Sequence, residues 1–207
     1  MKAIYVIISR THTKFGGIVR FFSGSRFNHA AIALDKEMRQ WYSFARKKKS
    51  NLLSAKFVKE NLARYVEFQG AVNCNIYKIP VSDEDYQKVQ KRLRELSYDD
   101  TYLYNYISIL TYPILGGVRC RKTFTCVEFV CWILNSVGIS LSKEQNKMSP
   151  DELSEDLRKY LCYSGDLSHY VCSHRSVYHD RTYFERFALH DIAEGLKVLA
   201  MTRRRLS

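Results

Sequence analysis

Two residues with the chemistry of a nucleophile and a base stand far apart in the chain. The first is Cys126, within Thr123-Phe-Thr-Cys-Val-Glu-Phe-Val-Cys-Trp-Ile-Leu-Asn-Ser-Val-Gly138. Apolar residues recur there at Val127, Val130, Cys131, Leu134 and Val137, and Asn135, Ser136 and Gly138 mark an end, which predicts a helix opening at the cysteine. Thr125 suits its N-cap. The first N–H groups of a helix lack internal partners, and its dipole places roughly half a positive charge there. A thiol whose ordinary pKa is about 8.5 is made easier to ionise in that position, the more so beside an imidazolium. Taken alone, Cys126 reads equally as a small buried residue opening a core helix, as Cys131 does further along.

The second residue is His29, in Phe27-Asn-His-Ala-Ala-Ile-Ala-Leu-Asp35. It opens a short aliphatic run expected to be a buried strand, with the histidine at its exposed end. A lone histidine is most often a surface or core hydrogen-bonding residue. Paired with Cys126 it becomes a base for a thiol, if the fold brings strand mouth and helix mouth together.

This order, a histidine on Asn28-His-Ala-Ala-Ile-Ala-Leu34 followed by a second strand and then a cysteine opening a helix, resembles the circularly permuted papain-like superfamily. That superfamily includes NlpC-like cell-wall amidases and peptidases and lecithin:retinol acyltransferase-like enzymes. The opening Tyr5-Val-Ile-Ile-Ser-Arg-Thr11, the segment Tyr42-Ser-Phe-Ala-Arg-Lys47 and the Thr125-Cys-Val-Glu-Phe-Val130 helix are similar to uncharacterised proteins of Gram-positive bacteria, over about residues 3 to 160. The resemblance implies an α+β fold, an antiparallel sheet carrying His29 packed against the Cys126 helix, with a C-terminal extension. It implies a thiol-dependent hydrolase or acyltransferase working through an acyl-enzyme, with Cys126 as nucleophile, His29 as base and then acid, and the Cys126 N–H in the oxyanion hole. A third polar residue on the returning strand would orient the histidine. The pattern favours Asn, Asp, Glu, Gln or His, whereas this chain has Tyr42 and Ser43. Ser43 is the positional candidate and Glu60 a distal alternative.

The elements that would position these groups follow from periodicity. Ala3 to Ser9 reads as a buried strand, and a short helix is expected over Phe15 to Phe22, leaving Ser9, Arg10 and Thr11 to line a cleft. Lys36-Glu-Met-Arg39 reads as a hairpin turn, Gln40 to Ala45 as the returning strand, Arg46-Lys-Lys-Lys49 as a basic loop, solvated or in contact with a phosphate or lipid headgroup, and Phe57 to Leu62 as a short helix or connection. Val72 to Ile79 alternates like a half-buried strand, with Cys74 on the packed side or at a polar edge. Ser82 caps a helix with Tyr86, Val89, Leu93 and Leu96 on one stripe. A helix over Tyr104 to Leu110 is expected to stop before Pro113, and Cys120, among cations, is the second candidate for a reactive thiol. Ser149-Pro-Asp-Glu152 starts another helix, running to Tyr160.

Residues 161–207 form an extension expected to pack on the 1–160 domain: a turn at Tyr163 to Asp166, strands over Leu167 to Tyr178, and a helix over Arg181 to Met201. Cys162, His169, Cys172, His174, His179 and His190 cluster here, yet their spacings match no usual zinc ligand pairs, so neither metal nor cofactor is expected.

The whole chain has 207 residues and 46% apolar content, enough for one well-buried core. Its net charge of +12 favours an anionic partner. Six irregularly spaced cysteines argue for reduced thiols, and neither a cleavable leader nor a membrane span is legible, so a cytoplasmic protein is expected. The expected partner is a small-molecule, peptide or lipid acyl substrate. The competing reading is a non-catalytic papain-like scaffold whose basic surface binds a membrane or nucleic acid, and a third makes the Cys/His-rich extension a zinc-stabilised module. Substrate identity and oligomeric state are not legible.

Overall fold

The computed structural model describes residues 2–61, 64–65, 70–171, 181–186 and 188–206. Its centre is a six-stranded antiparallel sheet in the order β4-β3-β2-β1-β5-β8. The strands are β1 Lys2–Ser9, β2 His29–Ala33, β3 Trp41–Arg46, β4 Ala55–Glu60, β5 Asn73–Val81 and β8 Leu161–Asp166. β6 Leu103–Tyr104 and β7 Thr123–Phe124 form a separate parallel pair. β1 is a near-continuous apolar run because it lies mid-sheet with both faces covered. Ile4, Val6 and Ile8 enter one core cluster, Tyr5 and Ile7 the other, as the two-residue period of a strand requires.

The helices are α1 Lys14–Ser23, α2 Asp83–Tyr98, α3 Tyr106–Leu115, α4 Cys126–Ser136, α5 Pro150–Asp156, α6 Leu167–Val171, α7 Arg181–Phe184 and α8 Leu189–Arg203. α4 packs on β2 and β3 through Phe129, Val130 and Ile133, which are fully buried. α1 lies along α3, which also meets α8. Caps fix the starts: Thr13 accepts from the Gly16 N–H, Ser82 from Asp85, Asn105 from Ser108 and Ser149 from Glu152. α1 and α3 both end on glycines in the left-handed region, Gly24 at φ 66° and Gly116 at φ 65°.

Several elements differ from those expected. Ala55–Glu60 is a strand, because pairing with β3 in the register Trp41↔Glu60 to Arg46↔Ala55 outweighs its lysine-broken pattern; Leu62 lies outside the described residues. α3 runs past Pro113, whose missing N–H removes a bond only in the final turn. Tyr163 to Asp166 is not a turn but part of β8, an edge strand on β5, so the chain beyond residue 160 enters the main sheet. Leu167–Val171 is helical, while residues 172–180, where a strand was expected, lie outside the described residues. The single helix expected over Arg181 to Met201 is instead α7 and α8. Among the described residues no helix is long and apolar enough to cross a membrane.

Candidate active site

The antiparallel pairing of β1 with β2 sets His29 opposite Ser9 at one end of the sheet. Only 9% exposed, His29 is buried rather than at an exposed strand end, because the mouth of α4 and the residues after β4 close over it. Its Nε2 stands 2.9 Å from Glu60 Oε1. A carboxylate only accepts, so Nε2 carries the hydrogen, and Nδ1 is the ring nitrogen left for another partner. The Cys126 thiol lines the same cleft and interacts with the imidazole strongly enough to raise it. Strand order delivers imidazole and carboxylate, and the α4 terminus delivers the sulfur.

Glu60 is itself held on every side. Ser43 Oγ donates to Oε1 and Tyr65 OH to Oε2, both at short range, and Arg64 Nη1 lies 4.0 Å from Oε2. Burial alone would push this carboxyl up, but the His29 charge and hydrogen bond, with Arg64 and Ser43, pull it down to about 2. The reverse holds for His29: burial lowers it, and Glu60 together with the Cys126 contact raises it to about 10. The pair therefore favours an imidazolium beside the thiol at neutral pH, the state in which a sulfur can be held as thiolate.

The helix mouth is organised by Glu128. Thr125 Oγ1 accepts from the Glu128 N–H at 3.2 Å and Glu128 Oε2 accepts from the Thr125 N–H at 2.6 Å, a capping box. This arrangement occupies the Thr125 and Glu128 donors and leaves those of Cys126 and Val127 as first-turn N–H groups able to face an oxyanion. Glu128 also accepts from Ser108 Oγ at 2.9 Å and from Asn105 Nδ2 at 3.3 Å, tying the start of α3 to the start of α4. The parallel β6–β7 pair places Tyr104 alongside, and its buried ring lines the same cleft as Cys126.

Two clefts meet at Cys126 and Tyr104. The polar one is lined by Thr11, Thr13, Arg46, Arg64 and Tyr183 besides His29 and Glu60. The other is apolar, running between α1 and α3 past Val19, Phe22, Ile109, Tyr112 and Met148. Thr11 reaches the polar cleft through a clasp with Asn28, whose Oδ1 accepts from the Thr11 N–H at 2.8 Å and from its hydroxyl at 3.0 Å. Asn28 Nδ2 in turn donates to the Thr11 carbonyl at 2.9 Å. Ser9 is buried and its hydroxyl has no partner among the described residues, and Arg10 is not among the lining residues.

Of the candidate residues, Cys126 and His29 are brought together. Ser43 is not bonded to the imidazole; its hydroxyl is spent on Glu60, and Glu60 occupies the orienting place. Of the other described thiols, Cys162 is exposed, and what burial it has raises it. Cys120 is buried, and burial with the Glu128 charge pushes it up, the reverse of what its cationic neighbours in sequence suggested. Burial also raises Cys74, to about 12, and Cys131. Tyr65, Tyr104 and the capping role of Glu128 were missed by the sequence reading, although Thr125-x-x-Glu128 is itself a capping signal. Cys172, His174 and His179 lie outside the described residues, among which no group of three or more His, Cys, Asp or Glu could hold a metal. Compared with known proteins, the chain matches no family model and no curated protein.

Proposed function

We propose that the protein is a cysteine hydrolase of permuted papain-like architecture, acting on an amide or ester carbonyl through an acyl-enzyme. The observation that carries this reading is the His29 ring fixed by Glu60 in the cleft that Cys126 also lines. The Cys126 thiolate attacks the carbonyl carbon, and the carbonyl electrons move to an oxygen faced by the Cys126 N–H, a donor worth roughly 3 kcal/mol in such sites. Imidazolium Nδ1–H gives its proton to the leaving amine or alkoxide as the C–N or C–O bond breaks, leaving a thioester on Cys126. Neutral His29 then takes a proton from water, whose oxygen attacks the thioester; the acid departs and the thiol is restored. Transfer to another acceptor differs only in the nucleophile of that second half. The apolar cleft past Val19, Phe22 and Ile109 suits the acyl side and favours deacylation over peptide cleavage.

The non-catalytic scaffold reading rests on the basic surface and on the absence of an orienting carboxylate or amide from the returning strand; Glu60 beside His29 favours the catalytic one. The test is covalent labelling by iodoacetamide near neutral pH. Because Cys162 is exposed, the alkylated peptide is identified: rapid labelling at Cys126 is expected, lost in Cys126→Ala and slowed strongly in His29→Ala. Rapid labelling that persists in Cys126→Ala, or labelling of Cys126 with the pH profile of an ordinary thiol, refutes it.

A further inference from the structure

Arg46 is the last residue of β3 and only 7% exposed, and it lines the polar cleft together with Cys126 and His29. Its Nη1 donates to the Lys49 carbonyl at 2.7 Å, and its guanidinium sits 5.9 Å from the Phe15 ring centroid. Among the described residues no carboxylate lies within ion-pair distance of it. The acids nearby are already engaged: Glu60 with His29 and Arg64, and Glu185 and Asp191 with Lys48. A cation taken out of water without a counter-charge is costly, whereas the bond to one carbonyl would be equally available to a neutral donor. Lys14, Lys49 and Arg186 line the open cleft that adjoins Arg46 on its outer side, so the field along this approach attracts anions towards it.

Resting on the cysteine-hydrolase reading, we infer that Arg46 is the specificity residue for an oxyanion, a carboxylate or a phosphate ester, on the part of the substrate that lies in the polar cleft. The planar guanidinium would pair with two oxygens of such a group while the acyl portion occupies the apolar cleft. The substrate class is then an apolar acyl compound with an anionic leaving portion. A purely structural arginine, closing the β3–β4 turn through Lys49, makes no such demand on the ligand.

The experiment compares alkylation of Cys126 by iodoacetate and by iodoacetamide, reagents of similar size that differ in charge. Their rate ratio should fall roughly tenfold in Arg46→Gln, the weight of one charge-assisted hydrogen bond, and only partly in Arg46→Lys. An unchanged ratio in a folded Arg46→Gln protein overturns the inference. Should that variant not fold, protection of the wild-type thiol from iodoacetamide decides. Octanoate or octyl phosphate should protect in a salt-sensitive way and octanol should not, whereas equal protection by all three, or by none, overturns it. The more protective anion identifies carboxylate or phosphate as the group read. Titrating the same anions into Cys126→Ala separates the two readings. Binding retained there but lost in Arg46→Gln supports the anion site even if the thiol proves unreactive, and labelling confined to Cys126 with no charge preference sinks the anion site alone.

Discussion

His29 and Glu60, separated by 31 residues in sequence, meet through a 2.9 Å Nε2···Oε1 contact inside the protein, each with little exposed surface. The contact fixes the ring's orientation and the identity of the nitrogen that faces Cys126. It also couples their titrations. The Glu60 share of stability is present above its unfolded pKa of about 4.5 and is lost as pH falls towards about 2. The His29 share is complete below its unfolded value of about 6.5 and is lost as pH rises through about 10.

Glu60→Gln keeps the shape of the side chain and removes its charge. The imidazolium then loses its main support, so the pH above which Cys126 loses its ion-pair partner should drop by more than about one unit. Iodoacetamide labelling followed across pH measures this directly. The variant should label roughly tenfold more slowly than the wild type near pH 7, with the difference closing as pH rises. An unshifted profile would show that Glu60 does not set the state of His29.

Ser43 is fully buried and donates to the oxygen of Glu60 that also faces the imidazole. Ser43→Ala removes one hydrogen bond to a charged group, worth about 2 kcal/mol, without touching the imidazole. Denaturant unfolding should record that loss, with labelling of Cys126 retained to within a few fold. Loss of labelling as complete as in Cys126→Ala would move Ser43 from supporting Glu60 to the chemistry itself.

The difference between Ser43 and Glu60 shows what the sequence can carry. Cys126 and His29 each open an element whose start is marked by its immediate neighbours, Thr125 in one case and the small aliphatic run in the other, so local patterning locates both. Whether Ser43 or Glu60 faces the ring depends on how β2, β3 and β4 pair, a register set by distant contacts. Arg46 illustrates the same limit. Four consecutive basic residues look alike as composition, yet the first belongs to β3 and is buried, while Lys49 is exposed. β1, β2, β3 and β5, with α1, α2 and the start of α5, were legible because period and, in the helices, capping agree there. β4 and β8 were decided by tertiary pairing, which carries no local signal.

Glu128 should make the protein less stable as pH rises through the weakly acidic range. Burial lifts its carboxyl to about 7 in spite of the bonds from Thr125, Ser108 and Asn105, against an unfolded value of about 4.5. Between these values the native state holds a proton that the unfolded chain has released, so stability falls as pH rises across that window. Glu128→Gln, which can keep the cap, should flatten the slope between pH 5 and pH 6.5, where Glu60 is already ionised in both states. Thermal melts at the two pH values test this, and an equal slope in both proteins would refute it.

Gly16 and Gly17 adjoin each other in α1 yet should respond oppositely to alanine. A Cβ on Gly16 would lie 2.5 Å from Thr11 Oγ1 and 2.6 Å from Asn28 Nδ2, inside the clasp that holds the residue before His29. A Cβ on Gly17 would meet nothing within 4 Å. Gly16→Ala should therefore cost about 1–3 kcal/mol and slow labelling of Cys126, because relieving the overlap opens the Thr11–Asn28 bonds beside the imidazole. Gly17→Ala should leave labelling unchanged and stabilise the protein by up to about 1 kcal/mol, the helix-propensity gain of alanine over glycine. Matched unfolding and labelling rates for the two variants would mean that Asn28 and Thr11 can yield without moving His29, and that the clasp is not part of what holds the site.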